Sequence, residues 1–524
     1  MENKINIQNT FTENLPRDGN FINRPRQVFN SCFSHVDPEN PENPELILYS
    51  KETAQIIGLD ETYCRSRDFV EIFSGKKKLK NSKPFAMNYG GHQFGNWAGQ
   101  LGDGRAVNIG EVVHNNQRYF LQLKGAGPTP YSRSGDGYAV LRSSIREFLC
   151  SEAMFHLEIP TTRALSLIHT GKRVLRDMFY DGNAQYEPGA VITRVSPTFV
   201  RFGNFEIFTA RQEYEVLKKL ADYTIENDFP EIKSKGKEKY LEFFSRVLNL
   251  TADLVVNWMR VGFVHGVMNT DNMSVRGLTI DYGPYGWLDA YDPDWTPNTT
   301  DAQSRRYVFG RQPEIALWNL SMFANALYPL INETQPLEME LDRFQSLFNS
   351  KYLEMMAAKL GIDNFQKKGT INLINELPSL FNIGETDMTI FFRKLSDFDP
   401  WKNSEMNFKN YWEAFYNISE ITGEKEKIFL DWNEKYSNIL KDENKSPEKR
   451  KKEMDSINPF YVLRNYLSQT AIDKAENGDY SYLKDLFNTL KKPYEQQAGK
   501  EKFAKKRPEW ARNKAGCSML SCSS

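Results

Sequence analysis

Side chains that could hold a metal ion lie in the stretch HGVMNTDNMSVRGLTIDYGPYG, residues 265 to 286. Asn272 and Asp281 offer the amide and carboxylate oxygens that Mg²⁺ prefers, and Asp271 adds a carboxylate beside them. The run SVRGLTI is long enough for a strand and a turn that would bring Asn272 and Asp281 together. The stretch therefore predicts a site where Mg²⁺ bridges phosphate oxygens.

A lysine and a glutamate farther upstream could bind and position phosphates. Lys124 ends the apolar run RYFLQLK, and Glu147 follows 23 residues later within LRSSIREFLCSEAMFHL. In protein kinases a strand lysine contacts the nucleotide phosphates and a helix glutamate positions it. Taken alone, either residue is more often a solvated surface charge. The apolar neighbours of Glu147 mildly disfavour that interpretation.

Glycines and arginines in two other segments could also contact phosphates. In GDGR, Gly102 and Gly104 would let backbone N–H groups approach a phosphate and Arg105 would add charge, although a tight turn explains the same residues. In TRVSPTFVR, Arg194 and Arg201 could clamp a phosphate through bidentate hydrogen bonds. Structural salt bridges explain this arginine pair equally well.

The order of these features along the chain is that of the protein kinases: glycine turn, strand lysine, helix glutamate, Asp-Asn and Asp-aromatic-Gly. One position departs from the pattern. Val267 stands where the kinase motif H-R-D-x-x-x-x-N has its catalytic aspartate, and valine cannot accept a proton. Asp271 is the nearby carboxylate that could orient or deprotonate an incoming hydroxyl. The usual geometry of phosphoryl transfer is therefore in question.

Periodicity and turn signals predict the elements that position these residues. RAVNIGEVV and RYFLQLK flank the turn HNNQ and predict a β-hairpin, and LRSSIREFLCSEAMFHL predicts a helix. ALSLIHTG and GAVITRVS predict two more strands, and the chain is mostly helical from about residue 206. A β-rich part followed by a helical part predicts an α+β fold with two lobes.

The same patterns divide the chain into four parts. Residues 1–90 form a polar N-terminal extension with few regular elements that wraps the core. Residues 91–205 form the β-rich N-lobe, residues 206–490 the helical C-lobe, and residues 491–524 a basic C-terminal tail. The N-terminus MENKINIQNTFTENLPRD lacks the apolar segment of a signal peptide, which predicts a cytoplasmic protein.

Composition argues against several classes of function. A formal charge of −1 over 524 residues disfavours nucleic acid or a membrane as a partner. Five cysteines and six histidines, without a CxxC pair, disfavour a disulfide framework or a common zinc site. A hard ion bound by oxygen, such as Mg²⁺, is the expected metal.

Several long runs resemble the selenoprotein O family, also called SelO or YdiU: LQLKGAGPTPYSRSGDGYAVLRSSIREFLCSEAM, ITRVSPTFVRFGNFE, HGVMNTDNMSVRGLTIDYGPYGWLD and the ending SCSS. The resemblance implies a protein-kinase-like fold that binds ATP in a reversed orientation. It also implies transfer of AMP to Ser, Thr or Tyr hydroxyls of proteins, with release of pyrophosphate and with Mg²⁺ or Mn²⁺ as the metal.

The resemblance also assigns roles to residues of this chain. Asp271 would be the proton acceptor, and Asn272 and Asp281 would bind the metal. Arg194 and Arg201 would hold the terminal phosphate where a kinase holds adenosine. The residues that would bind ATP are these two arginines, Asp281, Gly102, Gly104, Arg105, Lys124, Asp136 and Gly137.

The C-terminal cysteines carry a further expectation. The family often has selenocysteine or cysteine third from the C-terminus, where this chain has Cys522. The disulfide partner that some bacterial relatives have shortly after the second metal ligand is missing from LDAYDPDWTPNTTDAQ. Cys517 could instead form a local, exposed and reducible pair with Cys522, or both could be free thiols on a disordered tail.

Two other functions stay open from the sequence: a conventional kinase-type phosphotransferase and a catalytically silent nucleotide-binding redox sensor. The arginine pair and Val267 favour AMP transfer over the phosphotransferase. The intact trio Asp271, Asn272 and Asp281 disfavours the silent sensor.

Overall fold

The structure is a computed structural model, and it describes residues 5–443 and 445–521. The fold is mixed α/β, with most strands before Ser196 and mostly helices after it. The strands are β1 (Ile7–Gln8), β2 (Phe33–His35), β3 (Glu45–Tyr49), β4 (Phe85–Met87), β5 (Gly90–Gln93), β6 (Asn96–Gln100), β7 (Ala106–His114), β8 (Gln117–Lys124), β9 (Ala139–Val140), β10 (Arg163–Arg176), β11 (Gln185–Ser196), β12 (Phe263–Val264) and β13 (Gly286–Trp287).

The helices are distributed along the whole described chain. They are α1 (Thr10–Asn14), α2 (Lys51–Ile56), α3 (Glu61–Cys64), α4 (Arg67–Phe73), α5 (Leu141–His156), α6 (Phe202–Ala210), α7 (Tyr214–Asp228), α8 (Lys237–Val261), α9 (Gln312–Ile331), α10 (Gln335–Lys359), α11 (Lys368–Asn382), α12 (Met388–Leu395), α13 (Ser404–Asn410), α14 (Glu424–Glu443), α15 (Pro447–Ile457), α16 (Asn465–Glu476) and α17 (Ser481–Leu490). Among them, none combines the length and the apolar character that a membrane span requires.

Nine of the described strands form one antiparallel sheet around the β7–β8 hairpin. Its order is β2-β4-β7-β8-β11-β10-β3, with β1 beside β7 and β9 beside β11. The predicted hairpin is confirmed, with Ala106 opposite Lys124 at one end and His114 opposite Gln117 at the turn. The two further predicted strands are confirmed as parts of β10 and β11. Because β11 pairs with β8, Lys124 lies in the middle of the sheet.

The N-terminal stretch is more regular than predicted. It contains β1–β4 and α1–α4, and β2, β3 and β4 are strands of the main sheet. The prediction of few regular elements up to residue 90 is therefore wrong. β2 and β4 have three residues each, and β4 buries all of its residues, so no alternation of polar and apolar residues marks them. The Pro- and Asn-rich run before β3 is only a loop.

Helix α5 begins directly after β9 and packs across the sheet. The predicted helix is confirmed, and its apolar residues Ile145 and Phe148 are fully buried. They belong to a hydrophobic cluster that also contains Phe120 of β8 and Phe205 of α6. One core therefore continues from the sheet into the helices.

β12 and β13 pair with each other and close the neck of the loop between them. In this loop Thr270–Asn272 forms a 3-10 turn, and Met273 forms a single antiparallel bridge with Thr279. The predicted strand and turn is therefore a turn closed by one bridge. A second bridge joins Ser274 to Arg201, so the loop lies against the start of α6.

The described part of the C-terminal tail packs onto the helical part of the protein. Phe503 and Ala511 are fully buried. The backbone of Leu520 donates to Pro297 at 2.8 Å and accepts from Thr299 at 2.7 Å. The tail is thus anchored beside the segment that follows β13.

A buried ion pair joins α5 to β10, and the loss of one partner should destabilise the fold. Arg163 Nε and Nη2 donate to the two carboxylate oxygens of Glu152 at 2.7 and 2.8 Å. In Glu152→Gln the buried guanidinium loses its bidentate counter-ion and keeps only the more distant Glu52 at 3.9 Å, so we expect the free energy of unfolding to fall by about 3 kcal/mol. Urea unfolding followed by tryptophan fluorescence measures this change. Glu376→Gln, at the exposed pair with Lys435, should change little; equal losses in the two variants would contradict the expectation.

Candidate active site

A buried ion pair joins the end of β8 to α5. Lys124 Nζ donates to Glu147 Oε2 at 2.6 Å, so the strand lysine and the helix glutamate singled out by the sequence contact each other. Both side chains are less than 10% exposed. Burial lowers the pKa of Lys124, and Glu147 opposes that effect.

The carboxylate of Asp281 is bound by both predicted arginines. Arg194 Nη1 donates to Oδ1 and Arg201 Nη1 donates to Oδ2. Lys124 Nζ lies 3.7 Å from Oδ1, and Arg194 also contacts Glu147 at 3.2 Å. The two ion pairs therefore form one cluster, which we call the Asp281 cluster: Lys124, Glu147, Arg194, Arg201 and Asp281.

The electrostatics of the Asp281 cluster favour the ionised forms of Asp281, Arg194 and Arg201. Burial works against the charge on Asp281, but the three surrounding cations together hold the pKa of this carboxyl well below its usual range. Burial also works against the charges on Arg194 and Arg201, yet the nearby carboxylates raise the pKa of each guanidinium. Three cations face two carboxylates, so the cluster carries one excess positive charge.

Asp271 lies beside this cluster. Arg201 Nη1 donates to its backbone oxygen at 2.9 Å while also binding Asp281. The Asp271 side chain is buried, and burial raises its pKa to about 7 against the opposing effect of Arg201. A carboxylate with a pKa near neutrality is suited to accept a proton from a hydroxyl.

The Asn272 side chain is turned so that its amide oxygen is free of the loop backbone. Its Nδ2 donates to the Val267 carbonyl at 2.9 Å, which leaves Oδ1 as a potential metal ligand. Val267 itself is 6% exposed and contributes only its backbone here. Asn272 and Asp281 are therefore the oxygen donors of the loop that could hold a metal.

The glycine turn precedes β7 and packs against Tyr131. Gly102 has φ of +73°, and a Cβ there would lie 2.4 Å from the Tyr131 ring. A Cβ on Gly104 would lie 2.9 Å from the Tyr131 carbonyl oxygen. Arg105 is half-buried, and its carbonyl accepts from the backbone of Gly125, next to Lys124. The tight-turn interpretation thus explains the glycines structurally, and Arg105 lies near the lysine.

Asp136 and Gly137 are not hydrogen-bonded to the Asp281 cluster within the described part of the chain. The Asp136 carboxylate is held by Arg176 through two contacts of 2.6 and 2.8 Å. The Gly137 carbonyl accepts from Gly127, so the loop borders the segment that follows Lys124.

Two features of the site were missed by sequence reasoning. Gln122 accepts from Arg194 and donates to Asn108 at 3.2 Å and to Asp103 at 3.4 Å. It lies two residues before Lys124 on the same face of β8, so a polar residue at an inward position of an apolar strand was the available signal. The β5–β6 hairpin also contacts Asp271, and no local pattern indicated that contact.

The C-terminal cysteines differ in what the structure describes. Cys517 was expected either in an exposed pair with Cys522 or as a free thiol on a disordered tail; it is buried, and burial raises the pKa of its thiol to about 12. Such a thiol is a poor nucleophile at neutral pH. Cys522 lies outside the described residues.

A second group of metal-type ligands lies away from the predicted site residues. Glu52, Glu152 and His156 bring ligand atoms within 4.8 Å of one another. Arg163 already binds Glu152, and Lys491 Nζ lies 3.5 Å from Glu52. Side-chain cations thus already balance these carboxylates.

Comparison with known proteins identifies the family. A family model described as "Protein adenylyltransferase SelO" matches residues 18–491. A protein nucleotidyltransferase YdiU of Flavobacterium johnsoniae is 54% identical over 521 residues, covering 99% of each chain. Proteins of the same name from Rhodopirellula baltica and Aromatoleum aromaticum are each 51% identical, covering 99% and 100% of both chains, respectively. The chain therefore belongs to the protein adenylyltransferase SelO family.

Proposed function

We propose that this chain is a Mg²⁺-dependent protein adenylyltransferase. It would transfer AMP from ATP to Ser, Thr or Tyr hydroxyls of proteins and release pyrophosphate. Family membership supports AMP transfer. The observation that carries the proposal is the Asp281 cluster, a buried group with excess positive charge that binds the backbone oxygen of Asp271 through Arg201.

The buried arginines favour a reversed nucleotide. Arg194 and Arg201 are at most 2% exposed, so a ligand group that reaches them must enter a desolvated site. An uncharged adenine there would add no anion to the carboxylates of Asp281 and Glu147, whereas phosphates would bind the guanidinium groups through charge-assisted hydrogen bonds. The phosphate end of ATP would therefore lie deepest, with Lys124 and Arg105 along its path. Gly102, Gly104, Asp136 and Gly137 would contact the remainder of the nucleotide.

In this arrangement Asp271 accepts the proton of the acceptor hydroxyl. The hydroxyl oxygen forms a bond to the α-phosphorus, and the bond from that phosphorus to the oxygen bridging the α- and β-phosphates breaks. Pyrophosphate leaves with the electron pair of the broken bond. Lys124, Arg194 and Arg201 stabilise the negative charge that develops on it.

Asn272 and Asp281 would hold the metal, Mg²⁺ or Mn²⁺. Their amide and carboxylate oxygens suit a hard cation. Asp281 now binds two arginines, and the phosphates of ATP would take over those arginines and release its oxygens. When bound, the metal would neutralise phosphate charge.

The proposed arrangement has two kinase-like lobes around the nucleotide. Residues 91–205 would be the N-lobe and residues 206–490 the C-lobe, with the N-terminal extension and the tail 491–524 packed on them. Lys124 and Glu147 would come from the first lobe and Asp271 and Asp281 from the second. The main sheet up to Ser196 and the helices after it support the division between the two lobes, and β1–β4 add strands of the N-terminal extension to the sheet of the first lobe.

ATP labelled at either the α- or the γ-phosphate distinguishes the proposed reactions. The purified chain is incubated with labelled ATP, Mg²⁺ and the soluble proteins of a bacterial lysate, and label in precipitated protein is counted. We expect α-label to be incorporated, and Asp281→Ala to abolish the incorporation. Asp294→Ala, an exposed acid of the segment after β13, is the matched control and should retain it. Incorporation of γ-label into protein would indicate a phosphotransferase. Binding of ATP without incorporation of either label would indicate a silent sensor.

The reversed orientation predicts that Arg201 distinguishes ATP from AMP. Arg201→Ala should weaken ATP binding about tenfold to a hundredfold, because a buried charge-assisted hydrogen bond is lost. AMP binding should change little, since AMP lacks the β- and γ-phosphates. Calorimetric titration of both nucleotides measures the difference, with Arg246→Ala on the exposed face of α8 as control. An equal loss for ATP and AMP would contradict the reversed orientation.

Lys124 and Glu147 should affect transfer to different extents. Lys124→Ala removes a cation beside the leaving group, and we expect α-label incorporation to fall by about a hundredfold or more. Glu147→Gln keeps the lysine but removes its positioning partner, so a smaller fall is expected. Unchanged labelling by Lys124→Ala would show that this lysine is outside the site.

A further inference from the structure

The β5–β6 hairpin, residues 90–100, lies on the segment that contains Asp271. The backbone N–H of His92 donates to Thr270 Oγ1 at 2.7 Å, and that of Phe94 donates to Asn269 Oδ1 at 3.2 Å. The hairpin forms a separate two-stranded sheet and leads directly into the glycine turn that begins at Gly102. It therefore connects two parts of the candidate site that are distant in sequence.

One face of the hairpin meets the carboxylate of Asp271. Gly91 and Gln93 are two residues apart in β5 and so point to the same side of the strand. Gln93 Nε2 donates to Asp271 Oδ2 at 3.3 Å. A Cβ on Gly91 would lie 2.8 Å from Asp271 Oδ1. Glycine at this position thus lets the strand pack against the second oxygen without displacing it.

The two oxygens of Asp271 have different surroundings. Within residues 5–443 and 445–521, the side-chain hydrogen bond to this carboxylate comes from Gln93 alone, and it reaches Oδ2. Oδ1 is buried and accepts no hydrogen bond from the described residues. Arg201 binds the backbone oxygen of Asp271 instead of its carboxylate. The hydrogen bond to Oδ2 therefore fixes the rotation of the carboxylate. It leaves Oδ1 available to accept a proton.

We propose that Gln93 is a positioning residue for AMP transfer. Its side chain orients the Asp271 carboxylate so that Oδ1 faces the acceptor hydroxyl. The proposal rests on the proposed function. The hydroxyl proton passes to Oδ1 as its oxygen bonds to the α-phosphorus and pyrophosphate departs. Glycine at position 91 supports the same orientation of the carboxylate, because the Cβ of any larger residue would collide with Oδ1.

The hairpin offers a way to separate this role from a structural one. Its attachment to the 269–271 segment uses backbone N–H groups, which side-chain substitutions keep. Asn96 lies opposite Gln93 in the hairpin and is exposed; among the described residues, its side chain hydrogen-bonds only to the Phe94 carbonyl within the hairpin. Gln93→Leu and Asn96→Leu are therefore a matched pair, in which only Gln93→Leu removes a donor to Asp271.

The test measures α-label transfer by the full chain at varied ATP concentration, with the lysate proteins as acceptors. For Gln93→Leu we expect the maximal rate to fall about tenfold to a hundredfold, because a misdirected base costs that much, while KM for ATP changes less than about threefold. Gln93→Asn, which keeps an amide donor on a shorter side chain, should recover part of the rate. Asn96→Leu should retain the parent rate. Calorimetric ATP binding confirms that each variant is folded.

Gly91→Ala provides an independent variant should Gln93→Leu lose ATP binding. We expect it to lower the maximal rate while it binds ATP as the parent does. A parent-like rate for Gln93→Leu with ATP binding retained would overturn the proposal and leave the proposed function intact, and so would a parent-like rate for Gly91→Ala if Gln93→Leu loses ATP binding. A parent chain that transfers no α-label would overturn both.

Discussion

Both oxygens of the Asp281 carboxylate are bound by arginines, and the rest of the candidate site is arranged around this buried interaction. Taking charges out of water costs several kcal/mol per ion, and mutual attraction repays that cost only when the geometry is good and the remaining hydrogen bonds are made. Apolar residues of similar volume would often be as stable. Perturbed charges in such a setting are more common at functional sites than in ordinary cores. The excess of positive charge in the cluster points to an anionic ligand.

A chain of polar side chains inside the sheet holds the cluster in place. Arg194 reaches Gln122, and Gln122 reaches Asn108 and Asp103, all of them buried. Asp103 belongs to the glycine turn and also accepts from the backbone of Met87. Buried networks of this kind are rigid when their members are paired. A shift of the glycine turn would therefore displace Arg194 through this network. The network thus couples the two ends of the proposed nucleotide site.

Local contacts were predictable from the sequence, and contacts between distant segments were not. Lys124 and Glu147 lie in neighbouring elements 23 residues apart, and they could be paired because a strand lysine followed by a helix glutamate is the order found in protein kinases. The bond from Gln93 to Asp271 joins residues 178 positions apart, and nothing near Gln93 marks it. Arg194 and Arg201 were ambiguous between a phosphate clamp and salt bridges. The structure contains the salt bridges, and the same geometry would serve the proposed clamp if phosphates displaced Asp281.

The N-terminal strands and the tail show a second limit of sequence patterns. β4 buries all three of its residues, so the alternation that reveals a half-buried strand is absent. The tail reads as basic and solvated, yet Leu520 is fully buried against the segment after β13. Burial of single apolar residues in irregular chain depends on what the rest of the fold presents. The periodicity of apolar residues in the sequence does not reveal such burial.

The charge arrangement implies an order of assembly if the chain transfers AMP as proposed. Asp281 cannot serve a metal while Arg194 and Arg201 occupy both of its oxygens. Phosphates are the groups that would draw the arginines away, so the nucleotide must arrive before, or together with, the metal. Asp271 is less affected, because Arg201 binds its backbone and Gln93 binds its carboxylate. The proton acceptor would thus be oriented in advance, whereas the metal site would be completed only by the substrate itself.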